Sequence, residues 1–159
     1  MATGFGLLCR LMWISAIAKG LAERRFLIGQ AAAIGLTVVL YIVAFPPFDY
    51  PEAGFLLLTP FLLWLRLKPS YRQVAYAGLA AGWIAWFVLV IWLRHVTWLG
   101  TILLSGIVGA HFMLWCLGTS WLSRRLSGKG PWLGVPYAVG TAALWVVIEH
   151  MRGWIFTGF

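Results

Sequence analysis

The chain has 159 residues, 62% of them hydrophobic and only 10% charged, with a mean hydropathy of +0.90. Soluble domains carry roughly 25% charged residues, so the composition excludes an ordinary water-soluble domain and points to an all-α, polytopic transmembrane helical bundle. The net charge of +8 would suggest nucleic acid in a soluble chain, but here the basic residues lie between apolar segments. Retention at the cytoplasmic membrane face accounts for them, and no nucleic-acid partner is expected.

Residues 1–25 read as an amino-terminal segment of their own. Leu7, Leu8, Leu11, Ile14, Ala18 and Leu21 recur near helical spacing, with Arg10, Lys19 and Glu23 off that stripe, as in an interfacial amphipathic helix. A signal peptide competes, since Ala16-Ile17-Ala18 fits an A-x-A cleavage site. Cleavage there would export Lys19, Arg24 and Arg25, against the charge pattern of the rest.

Residues 26–159 form the membrane domain, with five apolar segments. The first, Phe26 to Phe45, has about the 20 residues a spanning helix needs, and Pro46 and Pro47 end it. The second runs from Glu52 to Leu67 and reaches only about 24 Å against a hydrocarbon core of roughly 30 Å. Pro60 bends it. A short spanning helix is preferred to a re-entrant one, with Arg66 and Lys68 reaching the headgroups. The third segment runs from Gln73 to Leu93, the fourth from Trp98 to Leu122 and the fifth from Trp132 to Ile148.

Loop charges orient the bundle. With the amino end inside, Arg10, Lys19, Arg24, Arg25, Arg66, Lys68, Arg72, Arg124, Arg125 and Lys129 fall on the inner side, and only Arg94 and Arg152 on the outer. That bias predicts five crossings, a cytoplasmic amino end and an outward-facing carboxyl end. Gly78 and Gly82, and Gly106 and Ala110, lie four residues apart, a spacing that lets helices approach closely.

Chemistry-bearing residues are few. Cys9 and Cys116 lie in apolar sequence without CxxC or Cys/His spacing and read as buried thiols. No metal-ligand cluster, phosphate loop or Ser/His/Asp arrangement is visible, so neither metal nor cofactor is expected. His111 lies midway along the fourth segment and reads as a neutral histidine bonded to a neighbouring helix. Polar interest gathers on the outer face: Asp49 and Glu52 in FPPFDYPEAG, Arg94, His95 and Thr97 in LRHVTW, and Glu149 and Arg152 in EHMRGW. The last two, at i and i+3, share a helix face and can pair. They read either as an ion-paired anchor among Trp145, Trp154 and Phe156 or as a contact for a lipid phosphate or carboxylate.

Three stretches together, AFPPFDYPEAGFLLLTPFLLWL, GLAAGWIAWFVLVIWL and LWVVIEHMRGWIFTGF, resemble the amino-terminal membrane region of apolipoprotein N-acyltransferases. The most specific is Glu-x-x-Arg-Gly-Trp followed by Thr-Gly-Phe. The resemblance covers residues 27–159 and leaves the first 25 aside. It implies a multi-pass protein of the bacterial inner membrane, its carboxyl end periplasmic, serving lipoprotein maturation. The family moves an acyl chain from a phospholipid to the α-amino group of diacylglyceryl-cysteine, using a Glu–Lys–Cys triad on a nitrilase-like domain. In the family, Thr-Gly-Phe is followed by Pro-Trp, further helices and that domain, whereas this sequence stops at Phe159. No catalytic residue carries over. What carries over is a scaffold and the rim of a lipid-entry site at Asp49, Glu149, Arg152 and Trp154. The expectation is a fragment that is inactive alone, its partners a phospholipid, a diacylated lipoprotein and, if the enzyme is split, a separate nitrilase-like chain. A non-enzymatic membrane adaptor or transporter subunit is the rival, and the near absence of ionisable groups within the spans counts against a transporter.

Overall fold

The computed structural model describes residues 3–126 and 134–155, with side chains from Lys19 onward. Every described regular element is helical: α1 (Thr3–Ala44), α2 (Ala53–Leu56), α3 (Thr59–Leu65), α4 (Tyr71–Leu89), a short 3₁₀ turn (Ile91–His95), α5 (Trp98–Leu126) and α6 (Gly134–Ile155). Two stretches are long and apolar enough to cross a membrane, Lys19–Ala44 within α1 and Trp98–Leu126. The amino-terminal segment and the first apolar segment lie in one unbroken helix of 42 residues. Most of the predicted amphipathic stripe falls on side chains outside the described residues.

Pro46 and Pro47 stop α1, and the chain turns back through hydrogen bonds from the Asp49 and Tyr50 amides to the carbonyls of Phe45 and Val43. Asp49 takes φ 54 there, a left-handed conformation that a short polar side chain tolerates better than most. The second apolar segment is then broken in two. Pro60 sits in the first turn of α3, where its missing N–H leaves no intrahelical bond unmade, and the break falls just before it.

Despite that break, α2 and α3 run back along α1. Gly54 and Leu57 border the same cavity as Tyr41 and Phe45 near the carboxyl end of α1. Trp64 lies 5.9 Å, ring to ring, from Phe26, and Leu67 rests on Gly29. From Gly29 to Ala44 the helix rises about 22 Å, so the pair covers that height.

Helix α4 opens with a capping box: the Gln73 amide donates to Ser70 Oγ, and the Ser70 amide donates to Gln73 Oε1 at 2.8 Å. It packs antiparallel on α5 through its glycines. A Cβ on Gly82 would lie 2.7 Å from the Gly109 carbonyl oxygen, and one on Gly109 would lie 2.5 Å from the Trp83 nitrogen. The predicted Gly78–Gly82 face is therefore a helix contact, with Gly82 against Gly109 and Gly78 against Met113 and Cys116. Gly106 instead faces the Trp83 ring. Helix α6 returns along α5, where the Trp115 indole N–H donates to the Thr141 carbonyl at 3.1 Å.

The centre is aromatic. Phe112 contacts Phe61 edge-on at 5.0 Å, stacks with Trp115 at 5.6 Å and meets Trp145 edge-on at 6.3 Å. These offset and edge-on geometries set the positive rim of one ring against the negative face of another. They tie α3, α5 and α6 into one core. Cys116 is buried beside it, against Gly78.

Candidate functional site

The last turns of α6 carry Glu149 and Arg152 on one face, and the two side chains pair, Arg152 Nη2 donating to Glu149 Oε1. Their surroundings differ. The Arg152 side chain is 14% exposed and that of Glu149 is 44% exposed, so the cation is largely desolvated while its counter-ion keeps contact with the surface. The guanidinium lies 5.0 Å from the centroid of the Trp86 ring on α4, and that π-face supplies a second favourable partner where water is scarce. Arg152 Nε is buried and has no hydrogen-bond partner among the described residues.

Behind the pair, Trp86 meets Tyr41 at 6.4 Å and Phe45 at 6.2 Å between ring centroids. A void of about 10 Å³ separates Tyr41, Trp86, His111, Phe112, Glu149 and Arg152, roughly the space one water molecule needs. His111 Nδ1 lies 2.9 Å from the Ile107 carbonyl of its own helix. Because a carbonyl only accepts, Nδ1 carries the proton there. This local bond occupies one of the two ring nitrogens.

Trp86 also borders a cavity of about 210 Å³ bounded by α1, α2, α4 and α6, with Tyr41, Phe45, Leu57, Leu58 and Trp145 among its walls and Glu149 at its edge. A broader groove of about 710 Å³ runs along the outer side of α6 past Trp145, Glu149, Gly153 and Trp154. Glu149 is common to the void, the cavity and the groove. An apolar hollow edged by a carboxylate that is itself paired with a guanidinium suits an amphiphile, with its chain in the hollow and its polar part toward the pair. Cys116, the described cysteine, lies buried against α4.

Of the residues singled out from sequence, Glu149 and Arg152 come together, and Trp154 lies beside Glu149 in the outer groove, 81% exposed. Asp49 is exposed in the turn after α1, and the contacts among the described residues do not join it to the pair. Phe156 lies outside the described residues. Tyr41, Trp86 and His111 were not read as part of this cluster. Their sequence signals are those of any spanning aromatic or buried histidine, and only the helix packing brings them to Arg152.

A family profile described as the apolipoprotein N-acyltransferase N-terminal domain matches residues 37–159. The chain belongs to the apolipoprotein N-acyltransferase family. The apolipoprotein N-acyltransferase of Ralstonia nicotianae (strain ATCC BAA-1114 / GMI1000) is 30% identical over 156 residues, an alignment that covers 91% of this chain and 28% of that protein. The chain thus spans little more than a quarter of that relative's length. No solved structure matches. Every residue of the Glu149–Arg152–Trp86 cluster falls inside the stretch matched by the apolipoprotein N-acyltransferase profile, whereas α1 before residue 37 precedes it.

Proposed function

We propose that this chain is the membrane part of an apolipoprotein N-acyltransferase, and that the Glu149–Arg152 end of its bundle is the rim where lipid substrates meet it. In this reading a phospholipid gives up an acyl chain to the α-amino group of a diacylglyceryl-cysteine lipoprotein, and both amphiphiles reach the enzyme from the bilayer. The observation that carries the rim assignment is the apolar cavity of about 210 Å³ with Glu149 at its edge and Arg152 fixed alongside. Trp154, in the outer groove, supplies an interfacial aromatic. Asp49, exposed in the turn after α1, adds a carboxylate at the level where α1 ends.

Five crossings fit the geometry. At 1.5 Å per residue α4 and α6 rise about 28 and 33 Å, comparable to the hydrocarbon core. The return of α2 and α3 from the level of Tyr41 to that of Gly29 favours a short crossing over a re-entrant loop. The ten-to-two distribution of basic residues supports an amino end in the cytoplasm and a rim at the periplasmic face of the bacterial inner membrane.

Acyl transfer itself belongs to a nitrilase-like unit, on this polypeptide's continuation or on a separate chain, where an activated thiolate splits one difficult step into two. The 159 residues hold and orient that unit and admit its lipids. The test is direct. The purified chain, supplied with phospholipid and a diacylated lipopeptide, forms no N-acylated product, and product appears when the nitrilase-like unit is added. Product from the chain alone contradicts the assignment.

A further inference from the structure

The end of the bundle away from Glu149 gathers cations from two distant stretches of sequence. At the end of α5, Arg124 donates a hydrogen bond to the Pro69 carbonyl, 55 residues away, and its guanidinium lies 4.2 Å from the centroid of the Tyr71 ring. The neighbouring Arg125 lies 5.5 Å from the centroid of the Trp121 ring. The turn that receives Arg124 is itself fixed. Lys68 takes φ 53, in the left-handed region, and the Ser70–Gln73 capping box closes the other side. Arg66, Lys68 and Arg72 all leave this turn exposed, as Arg124 and Arg125 are.

These five cations have no acidic counterpart nearby in sequence, because the chain contains no Asp or Glu between Glu52 and Glu149. Glu149 stands near Trp86, about 22 Å along α4 from Tyr71. Glu23, on α1, comes with Lys19, Arg24 and Arg25 around it. Charge retention during insertion needs only a count of Lys and Arg in a loop. It does not require arginines held on aromatic faces, nor a cationic turn pinned to a helix end. Such fixing leaves the planar guanidinium forks pre-organised for a phosphate, with several donors unspent. Leu67 and Trp121 remain exposed beside them, where acyl chains would lie.

We propose that this rim is a binding site for the phosphodiester headgroup of an anionic phospholipid. Arg124 and Arg125, set on Tyr71 and Trp121, grip the phosphate, and Lys68 and Arg72 close around it. The site lies at the opposite end of the bundle from the substrate rim. It rests on the reading of this chain as membrane-spanning.

The test uses the full chain, purified in neutral detergent and exposed to equal amounts of phosphatidylglycerol and phosphatidylethanolamine, with bound lipid read by native mass spectrometry. Phosphatidylglycerol is retained with a preference of about tenfold, and Arg72→Gln and Arg125→Gln each reduce the preference on the order of fivefold. Neither substitution touches the Arg124–Pro69 bond, so the bundle stays folded. Arg94→Gln, which removes the same charge from the 3₁₀ turn at the other end, leaves the preference unchanged. Equal retention of the two lipids overturns the proposal. So does an equal fall in Arg94→Gln, which would make net charge the cause. Displacement of the lipid by free glycerol phosphate at matched concentration also overturns it, since the site would then take soluble phosphate. A chain that alkaline carbonate extracts from the bilayer contradicts the membrane reading as well. One that stays in the bilayer without the preference contradicts this proposal alone.

Discussion

The guanidinium of Arg152 on α6 lies 5.0 Å from the centroid of the Trp86 ring on α4, while Glu149, one turn back on α6, accepts a hydrogen bond from its Nη2. Arg152 thus pairs with a carboxylate of its own helix and reaches a π-face on α4, and it is the second contact that joins the two helices. Removing one partner leaves a poorly hydrated cation behind. A fully buried pair broken in this way costs roughly 3–5 kcal/mol, but Glu149 is half exposed, so Glu149→Gln should cost about 1–2 kcal/mol. Trp86→Leu removes the π-face and should cost a similar amount, about 1–2 kcal/mol. Because both partners act on the same guanidinium, the double variant should depart from additivity by at least about 0.5 kcal/mol. Equilibrium unfolding in detergent measures all three. Strict additivity would show that Arg152 does not couple them.

The contact between α4 and α5 is set by backbone meeting backbone. A Cβ on Gly82 would press on the Gly109 carbonyl, and a Cβ on Gly109 on the Trp83 nitrogen. No flexible side chain is there to yield, so Gly82→Ala and Gly109→Ala should each destabilise by about 1–3 kcal/mol, the range of overpacked cores. Gly35 and Gly153 have open space where a Cβ would go. Alanine at either should be neutral or stabilise by up to about 1 kcal/mol, the difference in helix propensity. Thermal midpoints of the four variants in one detergent decide it. A uniform response would mean that the α4–α5 approach is not limiting.

Sidedness can be read chemically. With Cys9 replaced by Ser and Cys116 left buried, single cysteines at Asp49 and at Ser70 report the two ends of α2 and α3. In intact cells with the outer membrane permeabilised, an impermeant maleimide should label position 49 and spare position 70 until the inner membrane is broken. Labelling of both positions before breakage would make the second apolar segment re-entrant and remove one crossing.

Much of this architecture was legible in the sequence, and the parts that were not share a cause. Pro46 and Pro47 marked the end of α1, and Trp98 marked the start of α5, because proline geometry and apolar runs act locally. The i, i+3 spacing of Glu149 and Arg152 likewise announced their pairing. Pro60 announced a bend, although the break fell before it, since proline is at ease in a first helical turn. Tyr41, Trp86 and His111 could not be assigned. Their meeting depends on the rotation and height of three helices relative to one another, and nothing in α4 states which aromatic will face α6. Gly109 was missed for the same reason: Gly106 and Ala110 had the better spacing, but the close approach turns on which face of α5 meets Gly82. The Ser70-x-x-Gln73 capping box was a local signal available in the sequence and overlooked.

The central claim is that lipid enters at the cavity and groove that share Glu149. The most direct measurement is photo-crosslinking with a phospholipid carrying a diazirine on one acyl chain, followed by peptide mapping of the labelled chain in bilayers. Label should concentrate on residues 41–58 and 145–154, and Leu58→Trp, which fills the cavity of about 210 Å³, should lower it severalfold while exposed faces of α1 and α5 keep theirs. Label spread evenly over all lipid-facing helices, unchanged in Leu58→Trp, would contradict it.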